Sequence, residues 1–261
     1  MWDVLVHGLL GFGAGYTLER YGEYRLAKKR LSLLRHVFPF DAINESALLL
    51  NYLSLGRAPI EKPRVSVNCS RISKVEGLAK PSSLRQYVHS AEAIALIKVT
   101  DALHACSVEL DVSQFYDYPT DAKSHLLIGS NAHNELSKKL LSDLGHMKYV
   151  PNSAGHSHFL YKNEPMICSH EDTKVTRDYG VIVRRSYHGN QWKLLLAGIH
   201  MHGTLAAAEV SLLEEFQERV RASGLKCFAQ LVEIEVAPDG LGVPIDQVKW
   251  KDFDLVELKP I

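Results

Sequence analysis

Residues 198–204, GIHMHGT, separate an apolar run from a long amphipathic stretch in KLLLAGIHMHGTLAAAEVSLLEEFQERVRA, residues 193–222. That order predicts a strand, a tight turn and a helix over 204–222. A helix start leaves backbone N–H groups unpaired and carries the positive end of the helix dipole, so it can hold an anion without a dedicated cationic side chain. Gly198, His200, His202, Gly203 and Thr204 are the candidate ligand residues of this loop. A second unit of the same kind, HLLIGSNAHNELSKKLLSDLG at 125–145, runs through Gly129 into Ser130, Asn131 and Asn134. In open α/β sheets ligands lie at the carboxyl ends of strands, near a switch in strand order. If these two strands are neighbours, Gly129, Ser130, Asn131 and Asn134 form one wall of a crevice and the 198–204 loop forms the other. The plainer reading is that the glycines only shorten βα turns and that Asn134 and Thr204 only cap helices.

Other chemistry is less well marked. There is no GxxxxGK[ST] and no GxGxxG after a first strand, which argues against an ATPase or a standard dinucleotide dehydrogenase. Two HxH pairs, His156 with His158 and His200 with His202, would share a face on a strand. A metal site needs a third ligand that the pattern does not supply, so neither metal nor cofactor is expected. Cys168 lies two residues from His170, but catalytic partners are usually distant in sequence, and Ser130 is not in a G-x-S-x-G elbow. Arg184 and Arg185 sit in a basic and aromatic stretch with Arg177, Tyr179, Tyr187 and Trp192. Strand alternation puts the two arginines on opposite faces, and Arg184 is the candidate bidentate phosphate contact. An edge hairpin kept soluble by charge is the competing explanation. Glu209, the acid in the otherwise apolar first half of the 204–222 helix, is the candidate catalytic carboxylate, against a plain role as a solvated or ion-paired helix residue.

Lysine plus arginine equals aspartate plus glutamate at 30 each over 261 residues, so the electrostatic footprint of a general nucleic-acid binder is missing. The cysteines, Cys69, Cys106, Cys168 and Cys227, are scattered without a CxxC pair, which suits a reduced cytoplasmic chain with buried thiols. The N-terminus stands apart. Residues 4–16, VLVHGLLGFGAGY, are apolar and rich in small residues, with Trp2 before them and Arg20, Arg25, Lys28, Lys29 and Arg30 after them. This is the layout of a short anchor at the inner membrane with its basic flank in the cytoplasm. The apolar stretch, with Asp3 and His7 at or within its border, is shorter than the roughly 20 residues of an ordinary span, and residues 2–18 make a marginal one. Glycines at 8, 11, 13 and 15 equally suit a buried helix or a homo-oligomer interface.

The elements that must position these groups follow from periodicity. Residues 1–56 read as helices, over 20–38 and 43–55, and GRAPIEKP at 56–63 reads as a linker to a main domain over 64–261. There, strands at 64–69, 108–112 and 125–128 alternate with helices at 84–106 and 134–144. Short apolar pieces at 147–150, 158–162 and 165–168 suit a hairpin excursion, strands at 179–186 and 191–197 form a hairpin, and 226–236 is a further strand. Strand-then-helix order predicts a three-layer Rossmann-like α/β domain, its sheet mixed but mostly parallel, with helices on both faces.

Residues 126–134 (LLIGSNAHN), 178–184 (DYGVIVR) and 195–208 (LLAGIHMHGTLAAA) resemble bacterial Rossmann-like sensor domains that bind nucleotide-derived ligands. The resemblance covers roughly residues 64–236. It implies a module that binds a nucleotide-like or other anionic small molecule and is read out through the N-terminal helices. The glycine-threonine turn before a helix also resembles nucleoside deoxyribosyltransferase-like enzymes, which implies an N-glycosidase or nucleotide hydrolase using Glu209. Their glutamate falls three residues after the threonine, where this chain has Ala207. A membrane-tethered interaction protein without a small ligand is the third expectation.

Overall fold

The computed structural model describes residues 2–38, 64–69, 90–106, 108–111, 124–129, 135–151, 157–171, 174–187, 191–236 and 245–261. The expected helix at 43–55 and the linker at 56–63 lie outside these residues. A long helix α1 (Trp2–Val37) precedes β1 (Arg64–Cys69), α2 (Ser90–His104), β2 (Glu109–Asp111), β3 (Ser124–Ile128) and a short α3 (Glu135–Leu141). Strands β4 (Met147–Val150), β5 (His158–Tyr161), β6 (Glu164–Met166) and β7 (Ser169–Glu171) follow. The chain continues through β8 (Lys174–Tyr187), β9 (Gln191–Gly198), α4 (Met201–Leu212), α5 (Glu214–Ser223), β10 (Phe228–Glu235), β11 (Val248–Lys249) and β12 (Leu255–Glu257).

The main sheet has the order β11-β10-β8-β9-β3-β1-β2, with β12 paired to β10 and β7 to β8. Three pairings are parallel, β1 with β2, β1 with β3 and β3 with β9. Five are antiparallel, joining β8 to β9, β10 and β7, and β10 to β11 and β12. The expected mostly parallel, Rossmann-like sheet is therefore wrong: antiparallel pairs predominate. The strand–helix alternation misleads for a topological reason. Strands β9 and β10 are joined through helices and run in the same direction, but β8 lies between them and runs the other way.

The layers also differ from expectation. Side chains alternate along each central strand, and nearly all of them are buried on both faces. Leu126, Ile128, Ile182, Leu194, Leu196, Phe228 and Val232 pack against α1, α2, α4 and α5. Leu127, Val181, Val183, Leu195, Ala197 and Leu231 face the other way, onto α3, the antiparallel β4-β5-β6 sheet and the C-terminal segment around Phe253 and Val256. Among the described residues the long helices thus share one face, and a small second sheet packs on the other. The helix expected over 204–222 is two helices, broken at Leu213, which is extended at φ −67° and ψ 129°. No glycine or proline marks the break. The Gln217 amide donates to the Ser211 carbonyl at 3.1 Å, supplying a partner at the interruption, and α5 turns Phe216 onto Phe228 and Trp250.

The small residues of α4, GTLAAAEVS, do more than favour a helix. Gly180 and Gly198 are cross-strand partners on the helix-facing side of the sheet, and Gly203 in the first turn of α4 lies directly on them. A Cβ on Gly203 would meet the Tyr179 carbonyl group, its carbon at 2.5 Å, and one on Gly180 would meet the Gly203 carbonyl, its carbon at 2.8 Å. Backbone touches backbone here, so neither neighbour can rotate aside. Gly203→Ala and Gly180→Ala are each expected to cost about 3 kcal/mol, a Tm drop of roughly 6–12 °C in a melt followed by circular dichroism. Gly22, exposed on α1 with open space around its Cα, is the control. Gly22→Ala should leave Tm unchanged or raise it, by about 0.5–1 kcal/mol of helix propensity.

Candidate functional site

The carboxyl ends of β1, β3 and β9 lie side by side, because Cys69 pairs with Ile128 and Ile128 with Leu196. The Gly129 N–H extends the ladder by donating to the Leu196 carbonyl at 2.9 Å. The two glycine-bearing strands are thus parallel neighbours, as the crevice expectation requires. The helices that follow diverge. Helices α2 and α4, after β1 and β9, pack on the helix-rich face, whereas α3, after β3, packs on the opposite one. The helices that follow β3 and its two neighbours therefore pack on opposite faces, the arrangement beside which ligands lie in open α/β sheets. Ser130, Asn131 and Asn134 lie outside the described residues; Gly129 is buried with φ at +122°.

The start of α4 is not an open anion site. Gly180 pairs with Gly198 in the antiparallel hairpin, and two residues further out this register sets Asp178 level with His200, the residue preceding α4. The Asp178 carboxylate is fully buried and accepts from the backbone N–H groups of Tyr179, His200 and Gly203 at 2.8, 3.1 and 2.5 Å. It also accepts from the Cys168 thiol at 3.2 Å. The chain itself supplies the anion that the helix start attracts. Sequence reasoning did not single out Asp178; an acid at the head of an apolar strand was the available signal. Cys168 stays a thiol, since burial and then the neighbouring carboxylate push its pKa far up, so the sequence proximity of His170 confers no nucleophile.

His202 is 8% exposed, and among the described residues neither of its ring nitrogens has a hydrogen-bond partner. It lies seven residues before Glu209, close to two helical turns, and so on the same stripe of α4. Glu209 makes an ion pair with Lys98 of α2, so this stripe faces α2. The His200 ring instead packs edge-on against His170, centroids 5.3 Å apart. Among the described residues no three histidines, cysteines or acids are grouped for a metal ion. Thr204 is buried, and its N–H makes a long first helical bond of 3.4 Å to the His200 carbonyl.

Arg184 lies away from this edge. It pairs with Leu194, four residues down the ladder from Gly198, about 13 Å away at strand rise. Its guanidinium donates to the carbonyls of Arg35 and His36, in the last turn of α1, at 3.4 and 3.0 Å, and to that of Lys226 at 3.2 Å. It also stacks on Trp192, 4.6 Å from the ring centroid, and burial pulls its pKa down to about 10. Arg185, on the opposite face as alternation requires, donates to the Ser142 and Asp143 carbonyls after α3 at 3.0 and 2.6 Å. It continues a buried row with Lys193 and His125 across three strands, which the sequence reading also missed. Burial, and secondarily Lys139, lowers the pKa of Lys193.

Asp178→Ala would leave three backbone donors unpaired beneath α4, at about 1–3 kcal/mol each. Urea denaturation should show the chain losing most of its stability. Asp178→Asn, which keeps an acceptor oxygen, should fall between the two, whereas a wild-type midpoint for the alanine variant would remove the carboxylate from this role. No family model matches the chain, and no significant match to it was found among curated proteins or solved structures.

Proposed function

We propose that this chain is a ligand-binding module whose crevice lies at the carboxyl edge of β3 and β9, and that α1 holds the module at a membrane. The observation behind the first half is the His202 imidazole, buried at the start of α4 with two unpartnered nitrogens. A neutral imidazole has one donor and one acceptor, and leaving both unmet in a protein interior is costly. A small polar molecule offering an acceptor beside a donor would satisfy them. The base edge of a nucleoside or nucleotide has that pattern.

Asp178 changes what such a ligand offers to α4. With a carboxylate already receiving two N–H groups of the helix start, a ligand phosphate there would meet a like charge. The ligand is therefore held by its polar heterocycle, and any phosphate sits away from α4. Glu209, bound to Lys98, gives the hydrolase alternative no geometric support. The second half of the reading rests on strand β8, which caps α4 with Asp178 and α1 with Arg184 and so joins the crevice to the N-terminal helix.

Thermal melts with nucleosides, nucleotides and inorganic pyrophosphate test the ligand class. A nucleoside at a hundred times its Kd should stabilise the chain by about 2.7 kcal/mol, with the matching nucleotide similar and pyrophosphate inert. His202→Leu should melt at or slightly above the wild-type temperature without ligand and lose the ligand-induced shift. Stabilisation by pyrophosphate alone, or an unchanged shift in His202→Leu, would reject the reading.

A further inference from the structure

We propose that the stretch of α1 where it leaves the body is a collar for anionic lipid headgroups, seating the apolar end of the helix in one leaflet of a bilayer. This rests on the membrane half of the preceding reading and adds the chemistry of the partner. Among the described side chains of α1, from Leu18 onward, Tyr24 is the first that is buried, and all residues from Leu18 to Glu23 are exposed or half-exposed, so the helix stands off the body over that stretch. On that departing stretch the large apolar side chains of Leu18 and Tyr21 stand in solvent, 71% and 47% exposed, and Leu26, 56% exposed, follows on the solvent side of the first turn that packs on the body. Arg25, Lys28, Lys29 and Arg30 are exposed among them.

Charge selects the partner. Residues 18–30 carry five cations against two acids, a local excess of +3 in a chain whose formal net charge is zero. Arg20 pairs with Glu23 and Lys29 with Glu214, and both pairs are exposed at both partners, so these two contacts bind weakly. Basic residues beside an apolar helix, with a tyrosine at the boundary, match the phosphate layer of an anionic membrane. Length fixes the depth. Residues 2–18 span about 25 Å as a helix, short of the roughly 30 Å hydrocarbon core, and no helix among the described residues is long and apolar enough to cross a membrane. Insertion from one side, stopped by the basic collar, fits both facts.

The full chain should co-sediment with vesicles of phosphatidylcholine mixed with phosphatidylglycerol and not with vesicles of phosphatidylcholine alone. The double variant Arg25→Gln/Arg30→Gln should bind the anionic vesicles about tenfold or more weakly, while its melting temperature and nucleoside-induced shift stay at wild-type values. Equal binding to both vesicle types would overturn the headgroup collar and leave the membrane tether standing. No binding to either, with the chain running as a dimer by light scattering, would overturn collar and tether alike and make a second copy the occupant of this helix. The nucleoside shift, read in the same samples, reports the crevice separately.

Discussion

One strand holds the ends of three helices. Strand β8 places the Asp178 carboxylate at the positive start of α4, the Arg184 guanidinium at the negative end of α1 and the Arg185 guanidinium at the negative end of α3. Each charge opposes the dipole end it meets and supplies hydrogen bonds to backbone groups that a helix end leaves unpaired. Such contacts contribute up to about 2 kcal/mol each when partly buried. The larger effect appears on removal of Asp178, whose fully buried carboxylate is the acceptor of three backbone N–H groups that would be left without it. The alternation of the strand sorts them: Asp178 and Arg184 face the helix layer, and Arg185 faces the small sheet.

The acid cap works only at close range, and the glycines set that range. Gly180 and Gly198 remove side chains from the patch of sheet beneath α4, and Gly203 removes one from the helix. Without them the first turn would ride higher and its N–H groups would lose the carboxylate. Sequence reading assigned Gly198 and Gly203 to ligand approach. The backbone they admit belongs to the chain itself.

Much of the local structure was readable. The strands at 64–69 and 191–197, the antiparallel excursion after 147 and the hairpin into β9 follow from alternation and turn residues and are present. The adjacency of β3 and β9 was stated as a condition and is met. Non-local information was missing. Nothing in residues 193–222 says that β8 inserts between β9 and β10, and nothing in Leu213 announces a break that tertiary packing imposes. Arg184 illustrates the same limit. Its face was predictable, but the carbonyls of Arg35 and His36, nearly 150 residues earlier, were not.

The departure from a parallel topology and the occupied start of α4 have one cause. In a parallel sheet, neighbouring strands all begin at the edge opposite the helix starts, so an acid near the beginning of a strand lies far from any of them. The open helix start can then receive a phosphate. Here β8 is antiparallel to β9, and its early residues arrive at the edge where β9 ends. Asp178 therefore reaches α4 because the sheet is not parallel at that point. The parallel block β9-β3-β1-β2 keeps the carboxyl ends of its strands on one edge, while the antiparallel neighbour fills the start of α4 at that edge with a carboxylate. What stands beside the filled anion site is the buried His202 ring, and a phosphate at the start of α4 would meet the Asp178 carboxylate there.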